Sequence, residues 1–350
     1  MGVPGARGAE SSPDRDVWTP VPGRLPAIVA HRGAMTERPE NTIAALRRAA
    51  ELGAAVVEVD VRISRDGRLF LLHDPTLDRT TNGTDPASTR TMAELKQLDA
   101  GGRFDPKYRG ERIPLLREAL AACRGRLDVL LDLKGQGTTY AEVVAAEVRR
   151  SGDVRRTIVG VRCVEQARQF RRLLPEARQL GFLDSPDQIE SFADAGVDVI
   201  RLWPSWLRDR SLVGRVRRRK LQLQLNAPDS RPQSLLPLLS YAPDFLLLDD
   251  VAAARAVLDV LERNRERLTQ LAELVESLEA PRVGVWFSRP GALSFLNRDY
   301  EMRALPSELE GRARFVFDGG RGNNVSIRFR EPAVVFAAFE YNDTGAWSFP

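Results

Sequence analysis

Two histidines are the whole imidazole complement of this 350-residue chain, and each closes an apolar run. His31 ends AIVAH and precedes Arg32-Gly33, whereas His73 ends LFLLH and precedes Asp74. Two imidazoles, each titrating near ~6.5 when unperturbed, can serve as general base and general acid around neutral pH. Glu58 and Asp60 lie two residues apart inside the apolar run VVEVDV, so both project from one side of an extended chain. Paired carboxylates in apolar surroundings are costly unless something positive sits between them. A hard divalent cation, Mg2+ or Ca2+, meets that need with oxygen ligands. Asp132 and Lys134, in LLDLK, repeat the two-residue spacing on a later run. Arg32 can clamp phosphate oxygens, and Lys134 can offset their charge. Together these groups suit the cleavage of a phosphodiester by positioning, electrostatic stabilisation and proton transfer.

The elements that must position them alternate from residue 27 to about 262. Apolar runs stand at 27–31, 55–62, 69–73, 127–134, 157–162, 178–183, 198–203, 221–226 and 244–250. Such near-continuous apolar strands are the mark of a parallel sheet buried on both faces. Amphipathic stretches separate them, among them NTIAALRRAAELG with an Asn/Thr start and a Gly stop, VEQARQFRRLL and SPDQIESFADAG. A long charged helix over 251–279 is expected to close the series. Repeated strand–helix units predict an α/β fold, a (β/α)8 barrel, with the polar residues at strand C-termini converging on its catalytic face. Nine runs are one too many for it. Asp66-Gly67 is a hairpin signal, so one run is expected to be a short antiparallel arm. The long connection at 74–126 reads as a functional insertion. Residues 281–350 alternate without intervening helices and read as a small all-β appendage, and the barrel is bounded at 27–280.

These residues sit in longer motifs: HRGAMTERPENT, GAAVVEVDVRISRDGRLFLLHDPTLDRTTNGT, TMAELKQLDAGGRF, IPLLREAL and LLDLK. With them the chain resembles the glycerophosphodiester phosphodiesterases, densely over about 27–135 and more weakly to about 250. The resemblance implies a (β/α)8 barrel with an insertion after the second catalytic histidine. It also implies His31 and His73 as the acid–base pair and Arg32 as a phosphate contact. Glu58, Asp60 and Asp132 then stand as ligands of a divalent metal, Mg2+ or Ca2+, with Lys134 as an active-site cation. Glu40 and Asn41, in PENT, take supporting places. The implied reaction turns a small-molecule glycerophosphodiester and water into glycerol 3-phosphate and an alcohol. Two departures stand out. Asp132 replaces the usual Glu of an E-x-K motif, and LQLN (Leu223–Asn226) replaces W-T-x-N, removing an aromatic wall of the pocket. Asp249 matches a family aspartate, with a capping role as the competing reading.

Composition bounds the partners. The net charge of +4 arises from 52 basic and 48 acidic residues, which demands no nucleic acid. No apolar run reaches the ~20 residues of a membrane span. Residues 1–26 read as a disordered leader without a signal-peptide core, which points to a cytoplasmic protein. The two cysteines, Cys123 and Cys163, form no disulfide framework and read as small buried hydrophobes. RVRRRK (215–220) reads as a solvated helix end, and GGRGNN (319–324) as a glycine-rich hairpin. A peripheral contact of RVRRRK with anionic lipid would favour a lysophospholipase D-like reading of the same site. A catalytically weak module that binds glycerophosphodiesters is the alternative of another class, motivated by Asp132.

Overall fold

The structure, a computed structural model, describes residues 24–209 and 211–263 and six further strand segments between 275 and 348. The leading unit spans Pro22–Arg263. Its strands, in chain order, are β1 (Ala27–Ala30), β2 (Val56–Ile63), β3 (Leu69–Leu71), β4 (Asp128–Leu133), β5 (Thr157–Val161), β6 (Arg178–Phe182), β7 (Val199–Leu202), β8 (Gln222–Asn226) and β9 (Phe245–Leu248). All but β3 run parallel, and the ring closes where β1 pairs with both β2 and β9. This is the eight-stranded barrel that the alternation predicts. The surplus ninth run is β3, which returns antiparallel to β2 through the Asp66-Gly67 turn. β2 is longer than the other strands because its last residues, Val61–Ile63, pair with this arm.

Apolar side chains from alternate strand positions fill the barrel. Val29, Val56, Leu130, Ile158, Leu180, Val199 and Phe245 pack into one buried cluster. Position parity then decides what reaches the mouth, because residues two further along point the same way.

The first helix, Ile43–Glu51, shows how the local sequence is used. Thr42 caps it, its hydroxyl accepting from the Ala45 N–H at 3.3 Å, and Ala45, Leu46 and Ala49 are buried. Gly33 crosses this helix with φ +88°, where a Cβ would stand 2.7 Å from that of Ala45. Gly33→Ala is therefore expected to cost about 1–3 kcal/mol. A urea midpoint unchanged from the wild type would show that the crossing has room to spare.

The insertion builds its own small core. Leu77, Ala87, Met92, Leu95 and Ile113 pack on Phe70 and Leu72 of the antiparallel arm. Thr91 and Glu94 form a capping box at Met92–Leu95, and Asp66 of the hairpin accepts from the Met92 N–H at 2.8 Å.

Two expectations need correction. The last barrel helix runs Val251–Arg263, not to 279, and Val275–Glu279 is a strand paired antiparallel with Ser326–Phe329. Thirteen helical residues rise about 20 Å, enough to run back beside the barrel wall. Past them, the strand ladder takes the backbone hydrogen bonds that a longer helix would have used. Cys123 is buried as expected, but Cys163 is exposed. It stands at the N-cap position of the helix Val164–Leu173, two residues past Val161, where the buried strand ends.

The second unit takes in the residues from Asn264 onward. Its described strands pair antiparallel two by two, Val283–Phe287 with Ala313–Phe317 and Phe339–Tyr341 with Ala346–Ser348 being the other pairs. Residues 1–23 of the expected leader, and GGRGNN, lie outside the described residues. No helix of the described residues is long and apolar enough to cross a membrane. RVRRRK ends the helix Ser211–Arg218. Arg215 pairs with Glu190, Arg217 with Asp244 and Arg219 with Asp194, as a solvated helix end would.

Candidate active site at the barrel mouth

Two steps along each strand from the apolar cluster, the inward positions turn polar. β1 continues from Val29 to His31, β2 from Val56 to Glu58 and Asp60, and β4 from Leu130 to Asp132 and Lys134. The barrel thus brings His31 and these four charged residues to one end.

Glu58 and Asp60 are 3% and 1% exposed, so they are not a solvent-facing edge. Their ligand oxygens and one of Asp132 lie within 4.8 Å of one another, a group that can hold a metal ion. Burial, then the carboxylates of Asp60 and Asp132, push the Glu58 carboxyl well above its usual range. Lys134 Nζ lies 2.8 Å from Asp60 Oδ1 and 2.7 Å from Asp132 Oδ2. Arg162, from the end of β5, also pairs with Asp132. Burial opposes ionisation of Asp132, but Lys134 and Arg162 outweigh it and hold the carboxyl below its ordinary value. The shorter side chain of Asp132 therefore still reaches the cluster. Two buried carboxylates and one half-buried one, with both aspartates pressing on Glu58, fit a hard divalent cation by the chemistry of their donors.

The loop after β1 supports this group. Asn41 donates to Asp60 Oδ2 at 2.7 Å and accepts from the Asp60 N–H at 3.1 Å, so one amide fixes both the backbone and the carboxylate. It does so at φ +57°, with its own N–H on the Arg32 carbonyl. Arg32 donates its backbone N–H to Glu58 at 3.0 Å and its guanidinium to Glu40 at 3.0 Å. Glu40 in turn accepts two bonds of 2.7 Å from Arg79, an insertion residue. Burial works against the Glu40 carboxylate, yet Arg79 and Arg32 keep it ionised below the ordinary value.

The two histidines are held alike. His31 Nδ1 lies 2.7 Å from Asp249 Oδ1, and His73 Nδ1 lies 2.6 Å from Asp74 Oδ1. A carboxylate at Nδ1 selects the tautomer with the proton there and leaves Nε2 to face a reactant. Asp249 stands just past β9, two positions beyond Leu247, and His31 holds its carboxyl below the usual range. Arg79 draws Asp74 down to about 2, with His73 helping against the cost of burial. His73 reaches the mouth by a route unlike the other residues. Its strand is the antiparallel arm, not a barrel strand, and folds back so that the Leu72 N–H meets the Asp60 carbonyl at 3.0 Å. Arg62 secures this return, donating to the Leu72 and His73 carbonyls at 3.0 and 2.6 Å.

The sequence reading did not single out Asp74, Arg79, Arg162, Arg201 or Trp203. For Asp74 the signal was its place directly after His73. For Arg162, Arg201 and Trp203 it was inward parity on β5 and β7, which stays invisible until the register of the barrel is known, and Arg79, in the insertion, carried no such signal. Trp203, 38% exposed, stands just past β7 and carries its ring against the Arg201 guanidinium.

Comparison with known proteins follows the same residues. A profile of the glycerophosphoryl diester phosphodiesterase family matches residues 31–166. A glycerophosphodiester phosphodiesterase of Caldanaerobacter subterraneus is 48% identical over 107 residues, 31% of this chain and 44% of that protein. The chain thus matches less than half the length of this curated relative. Among solved structures, a glycerophosphodiester phosphodiesterase from Agrobacterium tumefaciens is 33% identical with a TM-score of 0.59, over 67% of this chain and 100% of that one. An Oleispira antarctica phosphodiesterase, solved in complex with the product sn-glycerol-3-phosphate, is 25% identical with a TM-score of 0.60, over 67% of this chain and 97% of that one.

Proposed function

Because the chain belongs to the glycerophosphodiester phosphodiesterase family, we propose that it hydrolyses glycerophosphodiesters to glycerol 3-phosphate and an alcohol. The observation that carries this reading is the matched pair of histidines, each with Nδ1 on a carboxylate, beside three clustered carboxylates. One imidazole Nε2 takes the proton of the attacking hydroxyl, either that of water or that of the glycerol arm itself, which gives a cyclic phosphate that water then opens to glycerol 3-phosphate. The other gives its proton to the oxygen of the departing alcohol as the P–O bond breaks. Asp249 and Asp74 hold the rings and steady whichever becomes imidazolium. Arg32 and Lys134 meet the phosphoryl oxygens, and Glu40 and Asn41 keep Arg32 and Asp60 in place. Glu58, Asp60 and Asp132 would hold a divalent ion, Mg2+ or Ca2+, which when bound polarises a phosphoryl oxygen. The product bound by the Oleispira protein, sn-glycerol-3-phosphate, is the product expected here. We place the activity in the cytoplasm, a setting that suits two unpaired thiols.

The test is release of glycerol 3-phosphate from glycerophosphocholine by the purified protein, with Mg2+ or Ca2+ and with chelator. Release that needs the metal supports the reading. No release from this or any other glycerophosphodiester, under either metal, would overturn it.

A further inference from the structure

We propose that Arg201 and Arg162, framed by Phe182, Trp203 and Gln224, form a second anion subsite that selects glycerophosphodiesters whose alcohol carries an acidic group. The inference rests on the activity proposed above and names its substrate class.

The subsite is built on the side of the mouth away from β1 and β2. Arg201 lies on β7 with the inward parity of Val199, in register with Phe182 of β6 and Gln224 of β8. Its guanidinium stacks on two rings, 3.9 Å from the centre of Trp203 and 4.4 Å from that of Phe182. Arg162 lies over the same phenyl ring, 4.8 Å from the centre of Phe182. Stacking fixes the plane of a guanidinium but leaves its N–H donors unspent. Among the described residues no carboxylate or carbonyl accepts from Arg201, and its Nε is buried without a hydrogen-bond partner. Gln224 is 1% exposed, and its Nε2 is likewise unpartnered. Buried donors left unmade are costly, so their concentration at one place marks a ligand that supplies acceptors.

A counter-ion for Glu58 and Asp132 would pair with one of them, and Arg201 pairs with neither. Arg162 is already held by Asp132, so the charge left over is that of Arg201. Burial, and then the neighbouring charge of Arg162, draw the Arg201 guanidinium down to about 10, against the opposing pull of the Asp132 and Glu58 carboxylates. An oxyanion beside it would meet both the donors and the charge. The phosphoryl oxygens are assigned to Arg32 and Lys134 and glycerol carries only hydroxyls, so an oxyanion at Arg201 comes from the other arm of the diester. Carboxylate and phosphate share the acceptor geometry that a guanidinium fork prefers.

Glycerophosphoserine and glycerophosphoethanolamine differ by one carboxylate and are the probes. Binding of each is measured by calorimetry with Mg2+ present, in the His31→Ala background so that the diester stays intact. The serine diester is expected to bind about ten- to a hundredfold more tightly, the worth of one charge-assisted hydrogen bond. In His31→Ala/Arg201→Gln the ratio is expected to fall to about one. Because both ligands are measured on each protein, a folding defect would lower both affinities and leave the ratio. A diester of glycerol phosphate, ending in a phosphate monoester, separates phosphate from carboxylate as the preferred group. Equal binding of all three to the His31→Ala protein, or a preference that survives Arg201→Gln, would overturn the subsite. A preference in binding without turnover of any diester by the wild type would overturn the hydrolase reading and leave the subsite standing.

Discussion

His31→Ala is expected to lower kcat for glycerol 3-phosphate release by about 10²–10⁴-fold, the usual contribution of a positioned general acid or base. The loss should fall on kcat with little change in substrate affinity, because the phosphoryl oxygens are assigned to Arg32 and Lys134. His73→Ala should lose a similar amount. Asp249→Asn keeps the ring of His31 in place but offers an amide where the Nδ1 proton finds a carboxylate at 2.7 Å. Its loss should be smaller, about 10–100-fold, as for residues that orient a working imidazole. Initial rates at saturating substrate, with thermal midpoints alongside, check the set. A His31→Ala protein that folds and keeps more than about a tenth of its kcat would remove this imidazole from the proton transfer.

The second large effect concerns Glu58 in the metal-free protein. Its carboxyl is pushed well above the ordinary 4.5, first by burial and then by Asp60 and Asp132. Below pH about 4 the group is protonated whether the chain is folded or not, and it contributes nothing. As the pH rises through 4.5, the unfolded chain releases this proton and the folded one keeps it, so stability falls. The fall continues until the pH passes the raised folded value. Asp132 acts in the opposite sense, since its lowered carboxyl favours the fold above its ordinary 3.8 and loses that support as the pH drops. Glu58→Gln removes the penalty, so in chelator at pH 8 the variant should be more stable than the wild type. Each tenfold mismatch in proton affinity is worth about 1.4 kcal/mol, so the gain grows with the mismatch. Saturating Mg2+ should reverse the order. A ligand at a hundred times its Kd adds about 2.7 kcal/mol to the wild type, and Glu58→Gln should lose most of that increment. Urea unfolding with chelator and with Mg2+ reads both. A variant no more stable than the wild type in chelator, and equally stabilised by Mg2+, would mean that Glu58 neither carries the strain nor holds the ion.

The candidate residues were legible because their pattern is local. Two histidines at the ends of apolar runs, and carboxylates spaced by two inside such runs, need no partner strand to be noticed. The alternation of strands and helices set the barrel, and Asp66-Gly67 told the antiparallel arm from a ninth barrel strand. The misreadings came where local pattern and long-range pairing compete. LAELVESLE suits a helix by itself, yet Val275–Glu279 has a strand partner some 50 residues on, at Ser326–Phe329. Cys163 follows a buried strand and so reads as buried, until the turn into the next helix carries it outward.

What the sequence determined by itself is the barrel and the candidates it collects: imidazoles suited to moving protons and carboxylates suited to holding a cation. Only the tertiary structure decided who stands beside whom. Asp249 lies 218 residues from His31 and reaches its Nδ1 because the last barrel strand closes on the first. Arg79 joins Glu40 to Asp74 across the insertion, and Arg201 meets Phe182 and Trp203 without an acidic partner. Side-chain identity and spacing along one strand are properties of a short segment. Pairing between strands depends on register and closure of the whole ring, and no short segment contains that information.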